Sequence, residues 1–211
     1  DEAVLVAVPP YHVAGLANML SNTFAGRRIV YLRAFDPHVW LSTVRDERIT
    51  QAMVVPTMLA RIVAGVGGAG SPTADVPTLR ALSYGGARVP ERVIREALER
   101  FPDVDFVNAY GLTETASTIA VLGPDDHRAA LTSDDPGVRA RLASAGRVLP
   151  TIEVEVRDDD GRPLGPNEAG IVYLRGEQVA GEYATGSVLD EDGWFCTRDR
   201  GWVEADGYLF I

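Results

Sequence analysis

Apolar and polar positions divide the chain into two halves with different periods. In the first, short apolar runs alternate with longer stretches whose apolar residues recur at helical spacing. Residues 4–8 read as a strand, followed by Pro9-Pro10-Tyr11-His12 and a helix to about Phe24. Residues 28–32 form the next strand. Asp36-Pro37 then opens a helix, with Asp at the cap and Pro in the first turn. Residues 53–55 form a short buried strand ended by Pro56, and a helix follows to about Val66. Residues 65–77, rich in Gly, Pro, Ser and Thr, are expected as a loop. Strands at 79–83 and 104–108 flank a helix over 90–101, whose Val93, Ile94, Ala97 and Leu98 share one face. Strands and helices alternating at this spacing predict an α/β fold, a mostly parallel sheet with flanking helices, over residues 1–122.

The second half has the period of two. Ile152, Val154 and Val156 alternate with Glu153, Glu155 and Arg157. Asp158-Asp159-Asp160-Gly161 makes a tight acidic turn with too few ligands for Ca²⁺. Residues 170–174 pair back, Trp194-Phe195 and Trp202-Val203 read as two further short strands, and Asp206-Gly207 signals a hairpin. A small antiparallel β-barrel-like region is expected over 146–211. The charged stretch 123–145, around Gly123-Pro124-Asp125-Asp126, is expected as the linker.

Composition narrows the functional classes. Hydrophobic residues make up 46% and charged residues 24%, so a packed core rather than disorder is expected. A formal net charge of -10 argues against nucleic-acid binding, which needs a cationic surface to displace counterions. All 20 basic residues are Arg, so the chain itself supplies neither a Schiff-base amine nor an ammonium clamp on phosphate. The single cysteine, Cys196, excludes an internal disulfide and a multi-cysteine metal site, and its apolar surroundings suit a half-buried strand position. No signal peptide or membrane-length apolar run is visible, which leads to the expectation of a cytoplasmic protein without a membrane span. Both ends read as cut from a longer chain.

Three segments concentrate chemistry. Asn108-Ala109-Tyr110-Gly111-Leu112-Thr113-Glu114-Thr115 follows a strand of the parallel half, where open α/β sheets bind ligands. Its ring suits stacking on a base, its hydroxyls suit phosphate oxygens, and its carboxylate suits a hard cation. The same residues also suit an ordinary loop. Ser83-Tyr84-Gly85-Gly86-Ala87 reads equally as a backbone surface open to a flat ligand and as a plain strand-to-helix turn. Thr197-Arg198-Asp199-Arg200-Gly201 reads as a solvated ion-pair cluster or as a site with one acid between two arginines.

Taken together and in order, these segments resemble the adenylate-forming superfamily: acyl- and aryl-CoA synthetases, adenylation domains and luciferases. Tyr-Gly-Leu-Thr-Glu-Thr at 110–115 is similar to its signature. Pro9-Pro10-Tyr11-His12-Val13-Ala14-Gly15 resembles the aromatic-His motif of the acyl pocket. Ala145 to Pro150, Gly170 to Gly176 and Asp192-Gly193-Trp194-Phe195-Cys196-Thr197-Arg198-Asp199 are similar to its later motifs, so the likeness runs through essentially the whole chain. The resemblance implies a carboxylic acid activated with ATP to acyl-AMP and then transferred to coenzyme A, with Mg²⁺ as the metal. By matched position it implies Tyr110 on adenine, Thr113 on phosphate and Glu114 on Mg²⁺. Asp199 would hold the ribose hydroxyls. Gly85, Gly86, Ala87, Asn108 and Gly111 would line the nucleotide pocket, and His12 would sit near the carboxylate and thioester.

Three departures accompany it. The family's phosphate loop ending in Lys does not precede the His motif, its C-terminal domain with a catalytic Lys does not follow, and Arg198 stands where Gly is usual. Arg198 either crowds the ribose or points to solvent. The chain is therefore expected to be a part of a synthetase that is inactive alone, with self-association through surface left uncovered. The alternatives are a non-catalytic nucleotide- or acyl-binding scaffold and a piece of an amino-acid adenylation domain. The absence of any acid in residues 9–20 and the Leu after Gly111 favour a fatty or aryl acid over an amino acid. His38 and His127 are expected to be structural or solvated.

Overall fold

A computed structural model describes residues 2–66, 73–184 and 186–211. Part of the expected 65–77 loop, residues 67–72, lies outside the described residues. The first half folds as β1 (Ala3–Val6), α1 (Val13–Phe24), β2 (Arg28–Tyr31), α2 (Pro37–Asp46), β3 (Gln51–Val54), α3 (Pro56–Gly65), β4 (Ala81–Gly85), α4 (Glu91–Arg100) and β5 (Asp105–Tyr110). Strands β2-β1-β3-β4-β5 lie in that order, all parallel. β1 is buried at all four residues, as a central strand covered on both faces must be. Asp36 caps α2 by accepting from the backbone N–H groups of His38 and Val39 at 2.9 and 3.1 Å. Pro56 both stops β3 and starts α3, because its fixed φ suits a first helical turn and its missing N–H costs nothing there. Val93, Ile94, Ala97 and Leu98 form the buried face of α4. Trp40, Ile49, Leu59 and Ile62 are fully enclosed in the same cluster, each contributing about 1.5–3 kcal/mol by burial.

The chain continues through β6 (Ala120–Leu122), α5 (Pro124–Thr132), α6 (Pro136–Ala140), β7 (Gly146–Val148), β8 (Glu153–Arg157), β9 (Gly170–Arg175), β10 (Glu182–Tyr183), β11 (Gly186–Ser187), β12 (Phe195–Val203) and β13 (Tyr208–Phe210). Three expectations change here. Residues 123–145 are not a linker: α5, α6 and a 3-10 turn occupy most of them, and Ala130 and Leu142 enter the first core cluster. The two short strands at 194–195 and 202–203 are one nine-residue strand, β12. The barrel-like closure is absent among the described residues: the sheet runs on as β5-β6-β7-β13-β12-β9-β8, and β8 pairs with β9 alone. β12 gives the reason. It pairs with β13 through Trp202 and Val203 and with β9 through residues 195–201, so it extends one open sheet around a corner instead of sealing a ring.

A second cluster, with Ile119, Ile152, Val172, Leu174 and Leu209, lies under the antiparallel half. No described helix is long and apolar enough to cross a membrane.

Candidate ligand-binding site

The C-terminal ends of β4 and β5 open into a cavity of about 330 Å³. Gly86 and Ala87 reach it from the turn after β4, Asn108, Tyr110 and Gly111 from the end of β5, and Asp199 from β12. Close backbone approach builds the walls. A Cβ on Gly85 would lie 2.2 Å from the Ala109 carbonyl oxygen, so Gly85 holds β4 against β5 while Gly86, at φ +87°, turns the chain away. A Cβ on Gly111 would lie 1.3 Å from the Ser117 carbonyl oxygen, because the loop after Tyr110 folds back over that glycine.

That loop is held by hydrogen bonds from two directions. Within it, the Thr115 hydroxyl accepts from the Leu112 N–H at 2.9 Å and donates to the Leu112 carbonyl at 3.1 Å. Ala116 and Ser117 follow at φ +50° and +92°, left-handed values disfavoured for side chains with a Cβ. Across it, the Gln178 amide donates to the carbonyls of Thr115 and Thr118 at 2.9 and 2.7 Å, and the Ala180 N–H to that of Glu114 at 2.6 Å. The antiparallel half thus braces the loop that carries the first half's motif.

A bulge aims Asp199. Pairing of β12 with β9 shifts register between Cys196 and Arg200, and Arg198 within the shift sits at φ +65°. A bulge turns the following side chain away from its regular alternation. Thr197 fixes this one: its hydroxyl donates to the Val172 carbonyl at 2.8 Å and accepts from the Asp199 N–H at 3.0 Å. Arg198 is exposed and is not part of the cavity wall, which favours the solvent side of the two readings of its side chain. The Tyr110 hydroxyl donates to Asp199 Oδ2 at 2.5 Å. Burial and the neighbouring carboxylate both push the Tyr110 phenol well above its ordinary range.

The other expected residues lie apart from this cavity. Glu114 Oε1 accepts from the Tyr183 hydroxyl at 2.6 Å, and Thr113 is exposed beside it. His12 is exposed at the start of α1. None of the three borders the cavity. No group of three His, Cys, Asp or Glu able to hold a metal occurs among the described residues. Glu114 and Thr113 therefore offer one hard carboxylate and one hydroxyl, a donor set that suits Mg²⁺ when phosphate oxygens and water complete its shell.

His127 takes part from outside the motifs. Tyr84 forms part of the wall, and its hydroxyl lies 2.8 Å from His127 Nε2. His127 Nδ1 lies 2.7 Å from the Gly123 carbonyl, so Nδ1 must donate there and Nε2 accepts from Tyr84. Burial holds the His127 imidazole below its usual pKa and the Tyr84 phenol above its own. Asn108 is fixed by donating to the Ser144 carbonyl at 3.1 Å. Tyr84 and His127 stand 43 residues apart and Asn108 and Ser144 36, and motif spacing marks neither pairing.

Fold and cavity together define an α/β protein with a ligand site at the carboxyl ends of its parallel strands. Residues 1–184 match the family model described as AMP-binding enzyme, and the chain belongs to that family. It is 36% identical to the fatty acid–[acyl-carrier-protein] ligase ScoC of Streptomyces coeruleorubidus, over all of this chain and 39% of that protein. It is 33% identical to the indoleacetate–CoA ligase of Aromatoleum aromaticum, with the same coverage of 100% and 39%. The chain thus spans about two fifths of the length of these relatives. The solved structure of o-succinylbenzoate coenzyme A synthetase (MenE) from Bacillus subtilis in complex with AMP superposes with a TM-score of 0.80 at 24% identity, covering 100% of this chain and 40% of that one. At that identity the likeness is one of fold.

Proposed function

We propose that the chain is the nucleotide- and acyl-binding portion of an AMP-forming acid–thiol ligase acting on a fatty or aryl carboxylic acid. The observation that carries this reading is the cavity at the ends of β4 and β5 with Tyr110 hydrogen-bonded to Asp199 inside it. An aromatic ring beside a carboxylate is the pair of groups that adenosine needs, one face for the base and one acceptor for sugar hydroxyls. In this reading Tyr110 stacks on adenine and Asp199 accepts from the ribose. Gly85, Gly86, Ala87, Asn108 and Gly111 shape the wall, and Thr113 donates to phosphate. His12 stands toward the acid and the thioester. Mg²⁺, held by Glu114, would neutralise phosphate charge. The acid's carboxylate oxygen attacks the α-phosphorus of ATP and pyrophosphate leaves. A thiol sulfur, that of coenzyme A or a carrier protein, then attacks the acyl carbon, and AMP leaves.

The chain's residues contribute positioning and hydrogen bonds to this sequence. A Lys-free chain brings no ammonium to the phosphates, so binding without turnover is the property proposed for it alone. Self-association is supported by the outer face of α1, where Leu16, Leu20 and Phe24 follow at intervals of four beside Tyr11. Phe24 is 96% and Tyr11 82% exposed.

Calorimetric titration with a nonhydrolysable acyl-AMP analogue tests the reading. Saturable binding that Asp199→Ala weakens and Glu114→Gln leaves in place without Mg²⁺ is expected. A folded chain that binds neither the analogue nor AMP would sink it.

A further inference from the structure

On the β4 side the chain enters the cavity wall through Gly85-Gly86, two residues with no side chain by which a neighbour could hold them. Support from strand pairing runs out at the same place. β4 pairs with β3 as far as Tyr84, opposite Val54, and with β5 one residue further, Gly85 opposite Ala109. Gly86 then turns away at φ +87°. Tyr84 is therefore the last residue held by strands on both sides, and the last before the turn with a side chain to grip.

That side chain is buried, and its one polar atom is taken by His127. The fully buried His127 joins two parts of the fold through its two nitrogens. Nε2 lies 2.8 Å from the Tyr84 hydroxyl, and Nδ1 lies 2.7 Å from the carbonyl of Gly123, the residue between β6 and α5. Burial lowers the imidazole pKa, which leaves the Nε2 lone pair open to the phenol at neutral pH. Asp126, the acid beside it in sequence, is occupied by the Gly123 N–H at 3.3 Å and the Tyr208 hydroxyl at 2.6 Å. β6 pairs with β5, and β5 with β4. The link from Tyr84 through His127 to Gly123 thus closes a ring across β4, β5 and β6, one residue short of the glycine turn.

We propose that His127 is a positioning residue for the nucleotide cavity: through Tyr84 it fixes the Gly85-Gly86-Ala87 wall that receives the ligand. The proposal rests on the nucleotide reading above and adds to it a residue outside the motifs. His127 itself does not border the cavity. A pair serving the core alone would alter stability and leave binding untouched, so the two roles separate by experiment.

Two amide variants each keep one of the two bonds. Gln sets its amide near the place of Nε2 and accepts from Tyr84, whereas Asn sets its amide near that of Nδ1 and keeps only the bond to Gly123. Dissociation constants for AMP are measured calorimetrically, with urea unfolding of each variant alongside. His127→Asn should weaken AMP about tenfold, the worth of one hydrogen bond, and His127→Gln should bind within about twofold of the unaltered chain. Tyr84→Phe, which keeps the ring and loses only the oxygen, should match His127→Asn. The double variant should be no more than about twofold weaker than either single one, because both remove the same link. A folded but less stable His127→Asn or Tyr84→Phe with unaltered AMP affinity confines the pair to the core and overturns the proposal, while the nucleotide reading stands. His127→Gln binding as weakly as His127→Asn overturns it too. An unaltered chain that binds no AMP overturns both the nucleotide reading and this proposal.

Discussion

The two ends of the parallel strands carry two cavities, and the more highly charged of them is the poorer candidate for a ligand. At the N-terminal ends of β2, β3 and β4, a recess of about 480 Å³ is lined by Arg28, Arg48 and Arg80 with Thr50, Pro77 and Thr78. Composition alone would name it an anion site. Three of its groups, Arg28, Thr50 and Thr78, serve the fold. Helices that connect parallel strands run back against them, so the carboxyl end of α2 faces this recess, and cations near a helix carboxyl end answer its partial negative charge. Arg28 donates to both the carbonyl and the carboxylate of Glu47, the residue that ends α2. The hydroxyl of Thr50 is bound to the backbone of Ala3, and that of Thr78 to the carbonyl of Ile49. At the opposite end the cavity carries fewer charges, but Gly86, Ala87, Asn108, Tyr110 and Gly111 converge on it with Asp199. Convergence of motif residues, rather than the number of charges, marks the candidate site.

The largest test of this contrast is Gly111→Ala. The added carbon would lie 1.3 Å from a carbonyl oxygen, so the loop over the cavity must move. A loss of about 3–5 kcal/mol in urea unfolding is expected, together with loss of AMP binding. Asp199→Ala should weaken AMP by about tenfold, since it removes a charged acceptor and the carboxylate that aims the half-buried Tyr110 hydroxyl. Arg80→Gln at the other end should leave AMP affinity unchanged in the same titration.

A pH series separates the two ends further. Burial depresses the His127 pKa in the folded chain, so below about 6.5 the unfolded chain binds the extra proton more readily. The associated stability is complete above the unfolded value and is lost as pH falls toward the folded one. About 1 kcal/mol should disappear between pH 7.5 and 5.5 in urea unfolding, and His127→Gln should flatten that part of the profile. The smallest effect concerns Arg28. Arg28→Gln should cost about 0.5 kcal/mol by uncapping α2, with no change in phosphate binding by NMR titration. A phosphate shift localised to Arg28, Arg48 and Arg80 would reverse the ranking of the two cavities.

The parallel half was legible because local signals agreed there. Apolar runs, the Asp36 cap and Pro56 all pointed to the same elements, and tertiary contacts only confirmed them. The antiparallel half was harder. β6 and β7 are three residues each, too short to show a period, and Gly146 at φ +92° breaks the pattern where β7 begins. Whether the strands close depends on which neighbour β8 finds, a long-range choice that alternation does not encode. The cavity residues were legible through likeness to a family, since Tyr110 and Asp199 stand 89 positions apart and no local rule joins them. Gln178 went unmarked because its partners are backbone carbonyls about sixty positions away, and His127, expected to be structural or solvated, is tied by a nearby carbonyl and by Tyr84 43 positions away. The exposed Arg198 had an opposite history. Its place in a glycine position was visible, but the reason, a left-handed turn inside a bulge, belongs to geometry.

The bond between Tyr110 and Asp199 sets the carboxylate's aim without using up its capacity. The phenol meets Oδ2 alone, and a carboxylate accepts at about four positions. A guest hydroxyl arriving in the cavity can therefore join the pair instead of breaking it. The ring and the acid are held together beforehand, so a guest that needs both meets them already in register.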